Sequence, residues 1–325
     1  MPCPIIFAVK VIAVINQKGG VGKTTTVANL GAAIAMSGRN ICLLDMDAQA
    51  HLTLHLGLEP GASALSMYEL LTADASIDAA AASISEHLWL VPSSIDLAAA
   101  EMELASTVGR EQILRDRIEA SSSPHDFIMI DCPPSLGLLT LNALAAADEV
   151  IIPLQPHFLA LQGLGKLLET MALVQKRINP RLKVTGVILC MYESNTRLTG
   201  EVESDLEKFF ESCRGTNVPW ADAYVFPTHI RRNVKLAESP SFGQTIFAYE
   251  PNSNGAADYE VLAGEFLARH PADAKAAPVA AEPVAVPAPA SEVAPVAIAA
   301  SEPVESSAMP EATCPAEQPV PSQPA

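Results

Sequence analysis

Positive charge is scarce in this sequence: 20 Lys and Arg stand against 37 Asp and Glu over 325 residues, a formal net charge of −17. That balance excludes a protein that coats nucleic acid through bulk charge, so any DNA contact must come from a local basic patch. Paired cysteines are missing as well. The six cysteines (Cys3, Cys42, Cys132, Cys190, Cys213 and Cys314) are scattered without C-x-x-C spacing, and several lie in apolar runs. They read as reduced thiols, not a disulfide framework or a metal site. No uninterrupted apolar run reaches the roughly 18–20 residues of a membrane span. The apolar first 16 residues lack a basic start and a small-residue cleavage site, and they run straight into a glycine-rich turn. They read as strand rather than signal peptide. A soluble, cytoplasmic protein is expected.

What is present is core material in a regular order. Hydrophobic residues make up 49% of the chain, ample for one large domain or two small ones. Apolar runs predict strands at Lys10–Asn16, Asn40–Asp45, Leu88–Val91, Asp126–Asp131, Glu149–Pro153, Lys183–Cys190 and Ala223–Phe226. Amphipathic stretches predict helices between them, chiefly Lys23–Ser37, Ser135–Ala146, Leu161–Ile178, Gly200–Cys213 and Ala256–Arg269. Continuous apolar strands alternating with helices indicate an α/β fold, a mostly parallel twisted sheet with helices on both faces. Ligands of such sheets sit outside the carboxyl ends of the strands. Residues 1–270 are read as one domain. Residues 271–325 change to Pro, Ala, Glu, Ser and Val with one Lys and seven acids, which predicts a disordered acidic tail. An inert solubilising extension is the plainer reading of that tail, a tether for a partner the other.

Four stretches carry chemistry. The first is Asn16-Gln-Lys18-Gly19-Gly20-Val21-Gly22-Lys23-Thr24-Thr25, which joins an apolar strand to a helix. Backbone N–H groups in that setting converge on a polyphosphate, with Lys23 reaching the β/γ-phosphates and the Thr24 hydroxyl placed for Mg2+. The strict G-x-x-x-x-G-K-[ST] pattern fails at its first glycine, which falls on Gln17, and a second lysine, Lys18, opens the loop. The second is Ile41-Cys-Leu-Leu-Asp45-Met-Asp47. Carboxylates two apart on a strand point the same way, so both could face the nucleotide end. Asp45 reads equally as a cap for the following segment, whereas Asp47 lies where a loop brings it to the γ-phosphate and a water. The third is Phe127-Ile-Met-Ile-Asp131, four apolar residues ending in an acid suited to hold hydrated Mg2+. The fourth is Ile230-Arg231-Arg232-Asn233-Val-Lys235, a local positive patch. Taken alone it reads as a solvated helix start ahead of a phosphate contact.

Together these stretches resemble the ParA/MinD group of deviant Walker A P-loop NTPases, and within it the short, Soj-like ParA proteins of chromosome or plasmid partition. The resemblance runs from about Val11 to Arg269. It extends through Leu141-Asn-Ala-Leu-Ala-Ala-Ala-Asp148, Ala160-Leu-Gln-Gly163-Leu and Arg232-Asn-Val-Lys-Leu-Ala-Glu-Ser-Pro-Ser. It implies an ATPase using ATP and Mg2+, with Lys18 as the signature lysine that reaches the partner's phosphates in an ATP-dependent homodimer. It implies a phosphate role for Lys23, a Mg2+ role for Thr24 and Asp131, and a hydrolytic role for Asp47. Asn233 would meet the adenine with Arg231 beside it, and Arg232 would touch non-specific DNA with Lys235, Arg231 and Arg197 as helpers. A ParB-like centromere-binding partner and a nucleoid location are implied too.

Three departures accompany the resemblance. Ala48-Gln49-Ala50-His51 follows Asp47 where the family has Pro-Gln-Gly-Asn. Arg231 replaces a usual Pro. Asn195 occupies a second basic position, with Arg197 two residues on. No helix-turn-helix precedes the ATPase region, so operator-specific repression is not expected. Three other readings share the loop: a ParA-like ATPase positioning a non-DNA cargo, a MinD-like membrane switch and a nitrogenase iron protein-like reductase. The second wants a basic amphipathic C-terminal helix where this chain is Pro-rich and acidic. The third wants bridging cysteines, whereas Cys132 reads as a core residue.

Overall fold

A computed structural model describes residues 9–157, 160–193 and 197–271. Residues 1–8, Asn195 and all of the expected tail beyond Pro271 lie outside the described residues. The strands are β1 (Lys10–Val14), β2 (Ile41–Asp45), β3 (Ala82–Ser85), β4 (Leu88–Val91), β5 (Phe127–Asp131), β6 (Glu149–Leu154), β7 (Lys183–Tyr192), β8 (Tyr224–Val225) and β9 (Ile230–Arg231). They form one sheet in the order β3-β4-β2-β5-β1-β6-β7-β8, with β9 paired to the end of β7. All pairings are parallel except β3 with β4. This is the mostly parallel α/β sheet that the continuous apolar runs predict.

Strand side chains alternate between faces, and the two cores follow that alternation. Val11, Ala13, Ile15, Cys42, Leu44, Ile128 and Ile130 pack into one core, with Leu97, Leu114, Leu144 and Leu167 from flanking helices. Ile12, Val14, Ile41, Leu43, Phe127 and Met129 pack into the other, with Leu30 and Ile34 from helix Lys23–Met36 and Leu262 and Phe266 from helix Asn254–Arg269. Burial on both faces is why these strands have no polar alternation. A Leu30→Ala change would remove buried methyls from such a core at a cost of about 2–5 kcal/mol.

The short helices His51–His55, Met67–Thr72, Ile77–Ala80, Leu97–Glu103, Ile113–Glu119, Val234–Glu238 and Ile246–Tyr249 were not expected, nor were β3 and β9. Register is what positions the site: Val14 and Asp45 both lie opposite Asp131. The ends of β1, β2 and β5 therefore meet at one level of the sheet.

Candidate functional site

β1 hands the chain to the glycine turn at that level. Ile15 N donates to Ile151 O (3.1 Å) and Asn16 Nδ2 to Pro153 O (2.7 Å), which tie the turn to β6. Asn16 Oδ1 accepts from Lys18 N at 3.0 Å. Gly20 and Gly22 take left-handed backbone, φ +72° and +94°, where a Cβ would be strained. Helix Lys23–Met36 starts at Gly22 without a side-chain cap. Its first-turn N–H groups are left for an outside acceptor, the arrangement that favours an anion. Lys23 is buried and curls back so that Nζ lies 3.4 Å from Lys18 O.

Thr24 and Asp131, 107 residues apart, meet: Thr24 Oγ1 donates to Asp131 Oδ2 at 2.7 Å. Asp131 is buried, and its other oxygen, Oδ1, has no hydrogen-bond partner among the described residues. Burial and then the Asp45 charge push its pKa well above the carboxylate range, while Thr24 and Lys23 pull the other way. An orphaned buried carboxylate oxygen demands a partner. Beside a threonine hydroxyl at a phosphate loop it fits a hydrated Mg2+, which uses one or two protein carboxylates plus substrate oxygens.

The two carboxylates after β2 part company. Asp45 is fully buried and serves the following segment, accepting from Thr53 N (2.8 Å) and Thr53 Oγ1 (2.7 Å). Burial raises its pKa to about 6 despite those bonds. Of the two readings of Asp45, these bonds match the one in which it caps the following segment. Asp47 is half-buried, with Oδ1 accepting from Gln49 N at 3.0 Å.

Lys18 is exposed, and its Nζ lies 2.6 Å from His157 Nε2. The ammonium can only donate, so Nε2 of the neutral imidazole accepts from it. Burial, and then the Lys18 charge, lower the His157 pKa.

In the basic segment each cation already has a carboxylate. Arg231 Nε lies 3.0 and 3.1 Å from the two oxygens of Asp258, whose backbone partner is Arg231 N at 3.0 Å. Arg232 pairs with Glu193 (3.1 Å), Lys235 with Glu238 (2.9 Å) and Arg197 with Glu201 (3.0 Å). Asn233 caps helix Val234–Glu238, its side chain accepting from Lys235 N at 2.8 Å. The structure thus brings Lys18, Lys23, Thr24 and Asp131 to one strand-end cluster. It gives Arg231 and Asn233 structural partners of their own. Cys132 is buried in the core. Thr53 and His157 escaped the sequence reading, since no spacing links either to the residue it holds.

Residues 9–184 match the AAA domain family. The chain is 45% identical over 260 residues to the sporulation initiation inhibitor protein Soj of Bacillus subtilis (strain 168), spanning 80% of this chain and 98% of that one. It is 43% identical over 261 residues to the chromosome-partitioning ATPase Soj of Treponema pallidum (strain Nichols), with the same coverage of 80% and 98%. Among solved structures, cobyrinic acid a,c-diamide synthase from Mycobacterium smegmatis with bound ATP analogue and magnesium superposes at TM-score 0.67 and 38% identity, over 81% of this chain and 95% of that one.

Proposed function

The chain belongs to the Soj/ParA family of chromosome-partitioning ATPases, using ATP and Mg2+, and from that premise we propose that it is a dimerising DNA-partitioning switch. Lys23 and the open N–H groups of its helix hold the phosphates of ATP. Thr24 and Asp131 would hold Mg2+, which when bound would supply positive charge against the phosphates. Asp47 orients the attacking water.

The observation that carries the switch is Lys18, a cation on the phosphate loop whose resting contact is a neutral imidazole. With no carboxylate on it among the described residues, its charge stays available for phosphates. Leaving His157 for the phosphates of a second copy would make dimer formation depend on ATP, as an arginine finger acts in trans. In the dimer, Arg232, Lys235 and Arg197 exchange their carboxylates for DNA phosphates, with Arg231 bound to Asp258 as a support. Such contacts are sequence-independent and salt-sensitive. A ParB-like centromere-bound partner then stimulates hydrolysis and release, with the γ-phosphate as the switching element.

Residues 1–270 form the ATPase domain in this reading, residues 271–325 an acidic tail, and the protein acts on the cytoplasmic nucleoid. No helix among the described residues is long and apolar enough to cross a membrane.

The test is DNA retention. Asp47→Ala should bind ATP, fail to turn it over and remain on duplex DNA at moderate salt, and adding Arg232→Ala should release it. Retention by the Arg232→Ala form, or loss of nucleotide binding in Asp47→Ala, would overturn these roles.

A further inference from the structure

The segment after β2 has an unusual construction. Helix His51–His55 begins at Ala50, which offers no side-chain cap and sits in left-handed backbone at φ +53°. That conformation suits glycine and strains alanine. Something outside the turn must hold it, and one buried carboxylate does. Asp45 Oδ1 accepts from Asp47 N at 3.2 Å, where the turn begins. Asp45 Oδ2 accepts from the backbone N and the hydroxyl of Thr53, where the turn has closed. The Thr53 hydroxyl, having donated to Asp45, accepts from Ser93 N at 2.9 Å in the loop after β4. Thr53 and Asp45 are both 0% exposed, so no water competes for these bonds.

We propose that Thr53 is a positioning residue for hydrolysis: through Asp45 it fixes the turn that carries Asp47. The proposal rests on the reading of Asp47 as the hydrolytic carboxylate. Without the hydroxyl, Asp45 keeps its bond to Asp47 N but loses a donor that fixes its rotamer, and Ser93 N loses its acceptor. Ala50 then has a route to relax. The displacement passes to Asp47, whose own backbone N–H is tied to Asp45, and leaves the phosphate loop untouched. A carboxylate misplaced by about 1 Å costs on the order of 10²-fold in turnover.

The experiment measures steady-state ATP hydrolysis by the full chain with Mg2+ and duplex DNA for wild type, Thr53→Val, Thr53→Ser and Asp47→Ala. Thr53→Val should lower kcat by about 10²-fold with KM for ATP unchanged, the signature of an interaction used only in the transition state. Thr53→Ser, which keeps the hydroxyl, should restore turnover. Wild-type kcat in Thr53→Val beside an inactive Asp47→Ala overturns the proposal, as does a raised KM with intact kcat, or a Thr53→Ser as impaired as the valine form. Turnover by Asp47→Ala would instead refute the role given to Asp47. Should Thr53→Val fail to fold, Thr53→Ala replaces it, and full activity there overturns the proposal equally.

Discussion

Asp45 offers a quantitative handle on the buried carboxylates at the strand ends. Its pKa of about 6 in the folded chain, against 3.8 unperturbed, means that the native state holds this proton more tightly than the unfolded state. Stability from protonating Asp45 is therefore fully present below about pH 4 and is lost as pH rises through about 6. Each pH unit of difference corresponds to 1.36 kcal/mol, so the full effect is about 3 kcal/mol, of which about 1.4 falls between pH 5 and pH 7. His55 works in the opposite direction: burial lowers its pKa to about 4, so its contribution is lost as pH falls below 6.5. The informative quantity is thus the difference between wild type and Asp45→Asn, in which His55 cancels and which carries, besides Asp45 itself, its charge coupling to Asp131. Urea unfolding of nucleotide-free protein at pH 5, 6 and 7, extrapolated linearly to water, gives it. Wild type should gain about 1.4 kcal/mol on Asp45→Asn as pH falls from 7 to 5. A flat difference, or one of opposite sign, would refute the claim that burial holds a proton on Asp45.

Other substitutions separate structural from functional roles. Arg231→Ala leaves the nearly buried Asp258 without its guanidinium; because Arg231 is itself half exposed, the loss should be about 1–3 kcal/mol in urea unfolding, with ATP affinity retained. A fall in ATP affinity with unchanged stability would assign Arg231 to the nucleotide instead. His157→Ala removes the resting partner of Lys18. With a hydrogen bond worth about 1 kcal/mol net in each of the two copies, ATP-dependent association followed by sedimentation should shift to about thirty-fold lower protein concentration. Weaker association would mean that His157 supports the dimer rather than competing with it.

How far the sequence carries depends on the range of the interactions. The buried parallel strands announce themselves because both faces are apolar, and register follows once Asp45 and Asp131 each end such a run. β3, by contrast, is an antiparallel edge, Ala82-Ser-Ile-Ser85, alternately half-buried and exposed. Its signal is too short and too polar to separate from a loop. The helices missed are of four to seven residues, one or two turns whose stability comes from packing more than from any periodic pattern. At the site, the local parts (glycine turn, Thr24, the strand-end acids) were legible. The cross-chain pairings were not: Lys18 with His157, 139 residues away, and Arg231 with Asp258, 27 away. Asp45 shows the difference. As a strand-end acid it could serve nucleotide or backbone, and only the return of Thr53 beneath it decides for the backbone.

The central claim is that Lys18 completes a site in a second copy of the chain. Sedimentation equilibrium of Asp47→Ala with Mg2+ and ATP tests it most directly, compared with the Lys18→Ala, Asp47→Ala double variant. The single variant should be a dimer with ATP and a monomer with ADP, and the double variant should bind ATP yet stay monomeric. Dimers of equal strength with and without Lys18 would contradict the account.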